Sequence, residues 1–131
     1  MTVSNLVFLK FIKFCVVGFS GMILDFGITW ILKEKFRLNK YISNSIGFIL
    51  AATSNYLLNR YWTFHSGNKQ VATEYLSFML IALAGLGLNN FVIYLLHDKI
   101  KLNFYFAKVL AVGFVTFWNF GMNYLFTFKY A

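Results

Sequence analysis

Proline is missing from this chain altogether, cysteine occurs once and histidine twice. Without proline, no position carries the one residue that both removes a helix hydrogen bond and clashes with the turn before it. The single cysteine, Cys15, excludes an intramolecular disulfide and a cysteine-based metal site. His65 and His97 stand alone in or beside polar stretches, so no metal is expected. Acidic residues number only 4, and charged residues as a whole make up 12%, about half the soluble norm. What fills the 131 positions is apolar: 60% hydrophobic and 21% aromatic. So little polar surface cannot cover a domain that faces water on all sides, whereas a bilayer supplies an apolar solvent. The net charge of +8 does not point to nucleic acid, because Lys and Arg lie mostly at the ends of apolar runs and form no basic face. At those ends they suit lipid headgroups and inter-helix loops.

After a short lead over residues 1–10, apolar runs cover about 11–32, 41–63, 74–96 and 103–128. Each holds roughly 20 residues or more, enough to cross a hydrocarbon core of about 30 Å at 1.5 Å per residue. The alternation that a membrane β-barrel requires is absent. The expected fold is all-α: a polytopic membrane protein with four transmembrane helices in one membrane domain, 1–131. The first run has no Ala-x-Ala-like cleavage site and has a counterpart later in the chain, so a span is expected rather than a removed signal. Aromatics at the run ends (Tyr61, Trp62 and Phe64; Phe104, Tyr105 and Phe106; Phe126, Phe128 and Tyr130) fit interfacial belts.

The stretch Asn55-Tyr56-Leu57-Leu58-Asn59-Arg60-Tyr61-Trp62-Thr63-Phe64 returns as Asn119-Phe120-Gly121-Met122-Asn123-Tyr124-Leu125-Phe126-Thr127-Phe128. An offset of 64 aligns 11–64 on 75–128 without a gap and leaves twelve identities, among them Phe14/Phe78, Gly21/Gly85, Asn39/Asn103, Asn55/Asn119, Asn59/Asn123 and Thr63/Thr127. The chain is therefore expected to be two tandem helical hairpins, with a connecting loop at 65–74 and a pseudo-two-fold axis along the membrane normal. Both termini then share one side. Five basic residues (Lys10, Lys13, Arg60, Lys69, Lys129) fall toward that side and seven (Lys33, Lys35, Arg37, Lys40, Lys99, Lys101, Lys108) toward the other, so charge does not orient the chain.

Several polar groups sit within the runs. Asp25 is mid-run, where an ionised carboxylate costs at least a few kcal/mol and needs a partner or water. Its repeat mate is Asn89. Gly18 and Gly21 precede Asp25 by seven and four residues, and Ala82 and Gly85 precede Asn89 likewise, placing a small-residue strip beside each polar group. Ser43, Gly47, Ala51, Asn55, Asn59 and Thr63 follow a stride of four, as do Ala107, Ala111, Val115, Asn119, Asn123 and Thr127. Such a row is one helical ridge. It serves either as inter-helix packing or as a lining for a hydroxylated ligand. Arg60 and Lys108 have Tyr124 and Asn44 as mates, so the repeat does not require them. Either snorkels to headgroups or binds an anionic group. Lys108 precedes Asn119 by eleven residues, about three turns, and shares its face. No Ser-His-Asp set, carboxylate pair or phosphate-cradling loop is present, so no catalysis is expected.

Phe14-Cys15-Val16-Val17-Gly18-Phe19-Ser20-Gly21 followed by Asp25, then the Asn-x3-Asn-Arg-x-Trp-Thr-Phe block at 55–64, resembles the GtrA-like family over about 11–128. Tyr124 and Phe126 replace the Arg and Trp in the second block. The resemblance implies a small four-helix inner-membrane protein of O-antigen, teichoic-acid or other cell-surface polysaccharide glycosylation, with both termini cytoplasmic. It implies flipping of a polyprenyl-phosphate-linked sugar, typically undecaprenyl-phosphate-glucose, made by a separate membrane-bound glycosyltransferase. No cofactor is implied. For such a ligand the expected contacts are Asp25, Asn55, Asn59, Arg60, Asn89, Lys108, Asn119 and Asn123, and four thin helices suggest a homo-oligomer. Two rivals are a proton-coupled multidrug exporter built on Asp25 and a non-transporting scaffold for the glycosyltransferase.

Overall fold

The computed structural model describes residues 2–129; Tyr130 and the Tyr105 side chain, expected in the aromatic belts, lie outside the described residues. The described chain is helical, in four long elements: α1 (Val3–Trp30), α2 (Lys40–Leu58), α3 (Val71–Ile93) and α4 (Phe104–Met122). With their end turns, three are long and apolar enough to cross a membrane: Val3–Lys35, Val71–Lys99 and Phe106–Thr127. α2 is more polar, because it carries Asn44, Ser45, Thr53 and Ser54 as well as Ser43 and Asn55.

Side-chain caps explain where the helices start. The Thr2 hydroxyl accepts from Asn5 N at 3.2 Å, Asn39 Oδ1 from Tyr41 N at 2.7 Å, and Asn103 Oδ1 from Phe106 N at 3.3 Å. The lead expected over 1–10 is therefore not separate from the first run: capped at Thr2 and free of Gly and Pro, it forms the opening turns of α1. Thr2→Ala is expected to lower stability by about 1 kcal/mol, seen as a small loss of melting temperature for the detergent-solubilised protein. The expected loop at 65–74 is likewise shorter, since α3 begins at Val71.

All four helices widen at their C-terminal ends into a π turn, over Ile31–Lys35, Asn59–Thr63, Tyr94–Lys99 and Asn123–Thr127. Phe36 N reaches back to Ile31 O at 3.2 Å and Phe64 N to Asn59 O at 2.8 Å, so carbonyls otherwise orphaned at a helix end are satisfied. Arg37, His65 and Lys101 then turn the chain with φ of 56°, 49° and 68°. These are non-glycine residues in the left-handed region, which costs on the order of 1 kcal/mol each. At both short connections a leucine closes the motif, Leu38 N on Leu32 O at 3.0 Å and Leu102 N on Leu96 O at 2.9 Å. At the second, His97 Nδ1 lies 2.9 Å from Leu102 O and its ring meets Phe104 edge-on at 5.4 Å.

The chain divides into two compact units, one ending at Gly67 and the other beginning at Asn68. In the first, α1 presents buried Phe14, Val17 and Gly21 to α2, which answers with Ala51, Ala52, Tyr56, Asn59, Thr63 and Phe64. Phe14 and Phe64 meet edge-to-face at 6.5 Å, a preferred aromatic geometry. In the second, buried Phe78, Ile81 and Gly85 face Ala107, Ala111, Phe120, Asn123, Thr127 and Phe128. Phe78 and Phe128 meet at 6.4 Å. Polar bonds tie this unit too: Ser77 and Thr127 hydroxyls lie 2.8 Å apart, and Trp118 Nε1 donates to Ile81 O at 3.2 Å. The remaining large apolar residues, Phe8, Phe19, Phe26, Leu80, Phe114 and Phe117 among them, are exposed and suit lipid.

Candidate functional site

The stride-of-four row on α2 is the seam of the first hairpin. Four residues turn the helix by about 400°, so the row winds slowly round α2 and follows the contact ridge where two helices cross. Ser43, Gly47, Ala51, Asn59 and Thr63 are buried and Asn55 is half-buried. On α4, Ala107, Ala111, Asn123 and Thr127 are buried, with Val115 and Asn119 half-buried. The row thus serves packing first.

Asn59 and Asn123 are closed off inside their hairpins, each 1% exposed. Thr63 Oγ1 donates to Asn59 Oδ1 at 2.8 Å, and Asn123 Nδ2 donates to Asn119 O at 2.7 Å. Asn55 and Asn119 differ. The Asn55 side chain lies directly against Gly21, and a Cβ on Gly85 would sit 2.7 Å from Asn119 Oδ1. Only a glycine leaves room for each amide. The Oδ1 atoms of Asn55, Asn119 and Asn123 are all shielded from solvent and, among the described residues, accept no hydrogen bond; Asn55 and Asn119 are the two of them at matching positions. A buried acceptor without a donor costs about 1–3 kcal/mol. The same cost is carried at the same place in each hairpin.

Gly18 departs from expectation: it is exposed, and a Cβ there would meet nothing within 4 Å. The seam of α1 runs through Phe14, Val17 and Gly21 instead, a 3-4 spacing that keeps Gly18 one position off the contact line. Asp25 is half-buried, and its Oδ1 accepts from Thr29 Oγ1 at 3.2 Å. Thr29 stands one turn on from Asp25, a spacing visible in the sequence. Asn89 is half-buried on α3.

The two basic candidates part company. Arg60 is 8% exposed, although it lies in the π turn near the end of α2; its guanidinium approaches Ser66 Oγ at 3.5 Å and stacks 5.5 Å over the Tyr61 ring. Lys108 is exposed. It lies on the helical line of Asn119, but the seam at that level is taken by Ala107, so the ammonium faces outward. Glu74 was not singled out from sequence and is 2% exposed near the start of α3. Its signal in the sequence was an acidic residue at the very edge of an apolar run. Among the described residues no three or more His, Cys, Asp and Glu gather as a metal site would require. On the second hairpin Leu76, Leu80, Ile81, Met122 and Phe126 line an open apolar groove of about 400 Å³.

The family profile described as "GtrA/DPMS, transmembrane domain" matches residues 13–128. The chain belongs to the GtrA/DPMS transmembrane family. That membership agrees with the helical architecture and makes this a membrane protein. GtrA/DPMS transmembrane domains are generally non-catalytic. A Bacillus subtilis (strain 168) relative, "Uncharacterized membrane protein YngA", is 26% identical over 86 residues, 66% of this chain. The aligned part spans 57% of that relative's length.

Proposed function

We propose that the protein translocates a polyprenyl-phosphate-linked sugar, of the undecaprenyl-phosphate-glucose type, across the bacterial inner membrane for cell-surface polysaccharide glycosylation such as that of O-antigen or teichoic acid. The observation that carries this reading is that, of three solvent-shielded asparagine oxygens without a donor (Asn55, Asn119 and Asn123), Asn55 and Asn119 stand at matching positions of the two hairpins, each beside a glycine. A sugar hydroxyl is the donor such an acceptor lacks. Crossing a bilayer strips the hydroxyls of water, and an amide that offers both donors and an acceptor replaces that water. Asn59 and Asn123 hold the helices behind them. Exposed Lys108 meets the phosphodiester as a point charge, and Arg60 offers a second cation near the other helix end. Asp25 and half-buried Asn89 lie one turn beyond Gly21 and Gly85. The isoprenoid tail stays in lipid, along surfaces such as the apolar groove of the second hairpin.

In this reading the termini are cytoplasmic, a membrane glycosyltransferase supplies the lipid, and the working unit is a homo-oligomer. The test is reconstitution. Purified full chain in vesicles with labelled polyprenyl-phosphate-glucose should speed exchange between leaflets well above protein-free vesicles. Lys108→Ala should slow it about tenfold, the effect of one lost charge-assisted contact of roughly 1.5 kcal/mol. A folded preparation no faster than protein-free vesicles would transfer the role to a scaffold for the glycosyltransferase.

A further inference from the structure

The cluster around Asp25 has no counterpart in the second hairpin. Asp25, Thr29, Ser43 and Gly47 align with Asn89, Ile93, Ala107 and Ala111, so every polar group in it has been lost or neutralised at the matching position. Hairpin packing therefore does not require these groups. Their arrangement is specific. Thr29 Oγ1 lies 3.2 Å from Asp25 Oδ1 and 3.5 Å from the carbonyl oxygen of Ser43. Gly47 lets the Asp25 and Thr29 oxygens come directly against α2, since a Cβ there would lie 2.7 Å from Asp25 Oδ1 and against the Thr29 hydroxyl. Ser43 is 0% exposed, and its own hydroxyl has no hydrogen-bond partner among the described residues. Among the described residues no basic side chain lies within salt-bridge distance of Asp25.

We infer that Asp25, Thr29 and Ser43 form a binding site for a sodium ion between α1 and α2. Three oxygens of the kinds hard cations select stand together, a carboxylate, a hydroxyl and a backbone carbonyl, and the residue that supplies the carbonyl also carries a buried, unpartnered hydroxyl. One carboxylate carries one negative charge, so a monovalent ion leaves the site neutral within the bilayer, whereas a divalent ion leaves a net charge there. A proton on Asp25 would neutralise the carboxylate without engaging Ser43, whereas a metal ion draws on the carboxylate, the Thr29 hydroxyl and the Ser43 carbonyl together. Sites for coupling ions in transporters use the same ligand chemistry, so this site gives the chain a place to draw on an ion gradient. The inference does not depend on which lipid is moved.

The test is thermal unfolding of the full chain in detergent, with sodium chloride exchanged for choline chloride at constant ionic strength and pH. A ligand that binds only the folded state raises the melting temperature with its concentration. The wild type should gain roughly 3 °C or more per tenfold increase in sodium above half-saturation. Asp25→Asn, which keeps the shape, should abolish the gain, and Thr29→Val and Ser43→Ala should each move it to higher sodium. Because each protein is compared with itself in the two salts, a variant of altered stability still reports. Equal melting in both salts, or a sodium response that survives Asp25→Asn, would overturn the site. So would a response to pH alone, which would make Asp25 a proton carrier instead. Loss of lipid flipping with the sodium response intact would count against the transport reading and not against this one.

Discussion

Replacing Gly47 with alanine is expected to force α1 and α2 apart and to lower the melting temperature more than alanine at any other glycine of the seams. A Cβ at that position would lie 2.9 Å from the backbone oxygen of Asp25 as well as 2.7 Å from its carboxylate. A side chain can rotate aside, but a helix backbone moves only with its helix. Overpacking of this kind costs about 1–3 kcal/mol, a large share of a small domain's stability. Gly21→Ala and Gly85→Ala should cost less, because what they meet is side chain: Asn55 in one case, and Asn119, Val115 and Trp118 in the other. Gly18→Ala should be neutral, with open space at that position. Unfolding curves of the four variants in one detergent check the order; a Gly18 variant as unstable as the Gly47 variant would contradict this packing.

The second large effect separates stability from activity. Asn55→Leu combined with Asn119→Leu is expected to slow translocation by about 10²-fold, two lost hydrogen bonds to the headgroup at roughly 1.4 kcal/mol each. The same double variant should unfold no more easily than the wild type. The two amide oxygens already accept no hydrogen bond, and removing a buried polar atom without a partner is neutral or stabilising. Asn59→Leu should do the opposite: it breaks the bond from Thr63 at 2.8 Å, strands that hydroxyl inside the seam and lowers stability directly.

The architecture was legible because run length and apolar content alone demand helices in a bilayer. The stride-of-four row was legible as a ridge, and the identities have contacts behind them: Asn39 and Asn103 cap helices, while Phe14 meets Phe64 as Phe78 meets Phe128. Helix ends were not legible, since a widened final turn and a left-handed Arg37 or Lys101 leave no trace in hydropathy. Nor was the start of α1, because a capped, moderately apolar segment reads as a lead until its hydrogen bonds are seen. For the site, sequence marked Asp25 as a charge needing company and held Thr29 one turn on, but gave no means of choosing Ser43, whose approach depends on how α1 and α2 cross. Lys108 was placed on the correct helical line, yet the drift of the seam along α4 turns it outward. Glu74 escaped notice because the edge of an apolar run reads as interface, where acidic residues are ordinary.

The measurement that tests the central claim most directly is headgroup selectivity in vesicles. Two lipids would be compared on the same preparations: polyprenyl-phosphate-glucose, and polyprenyl phosphate with no sugar. If the Asn55 and Asn119 amides stand in for water around sugar hydroxyls, the wild type moves the glucose lipid faster, and the Asn55→Leu, Asn119→Leu protein loses that preference while remaining folded. Equal rates for the two lipids in the wild type, or a preference unchanged in the double variant, would contradict the assignment of these residues to the sugar.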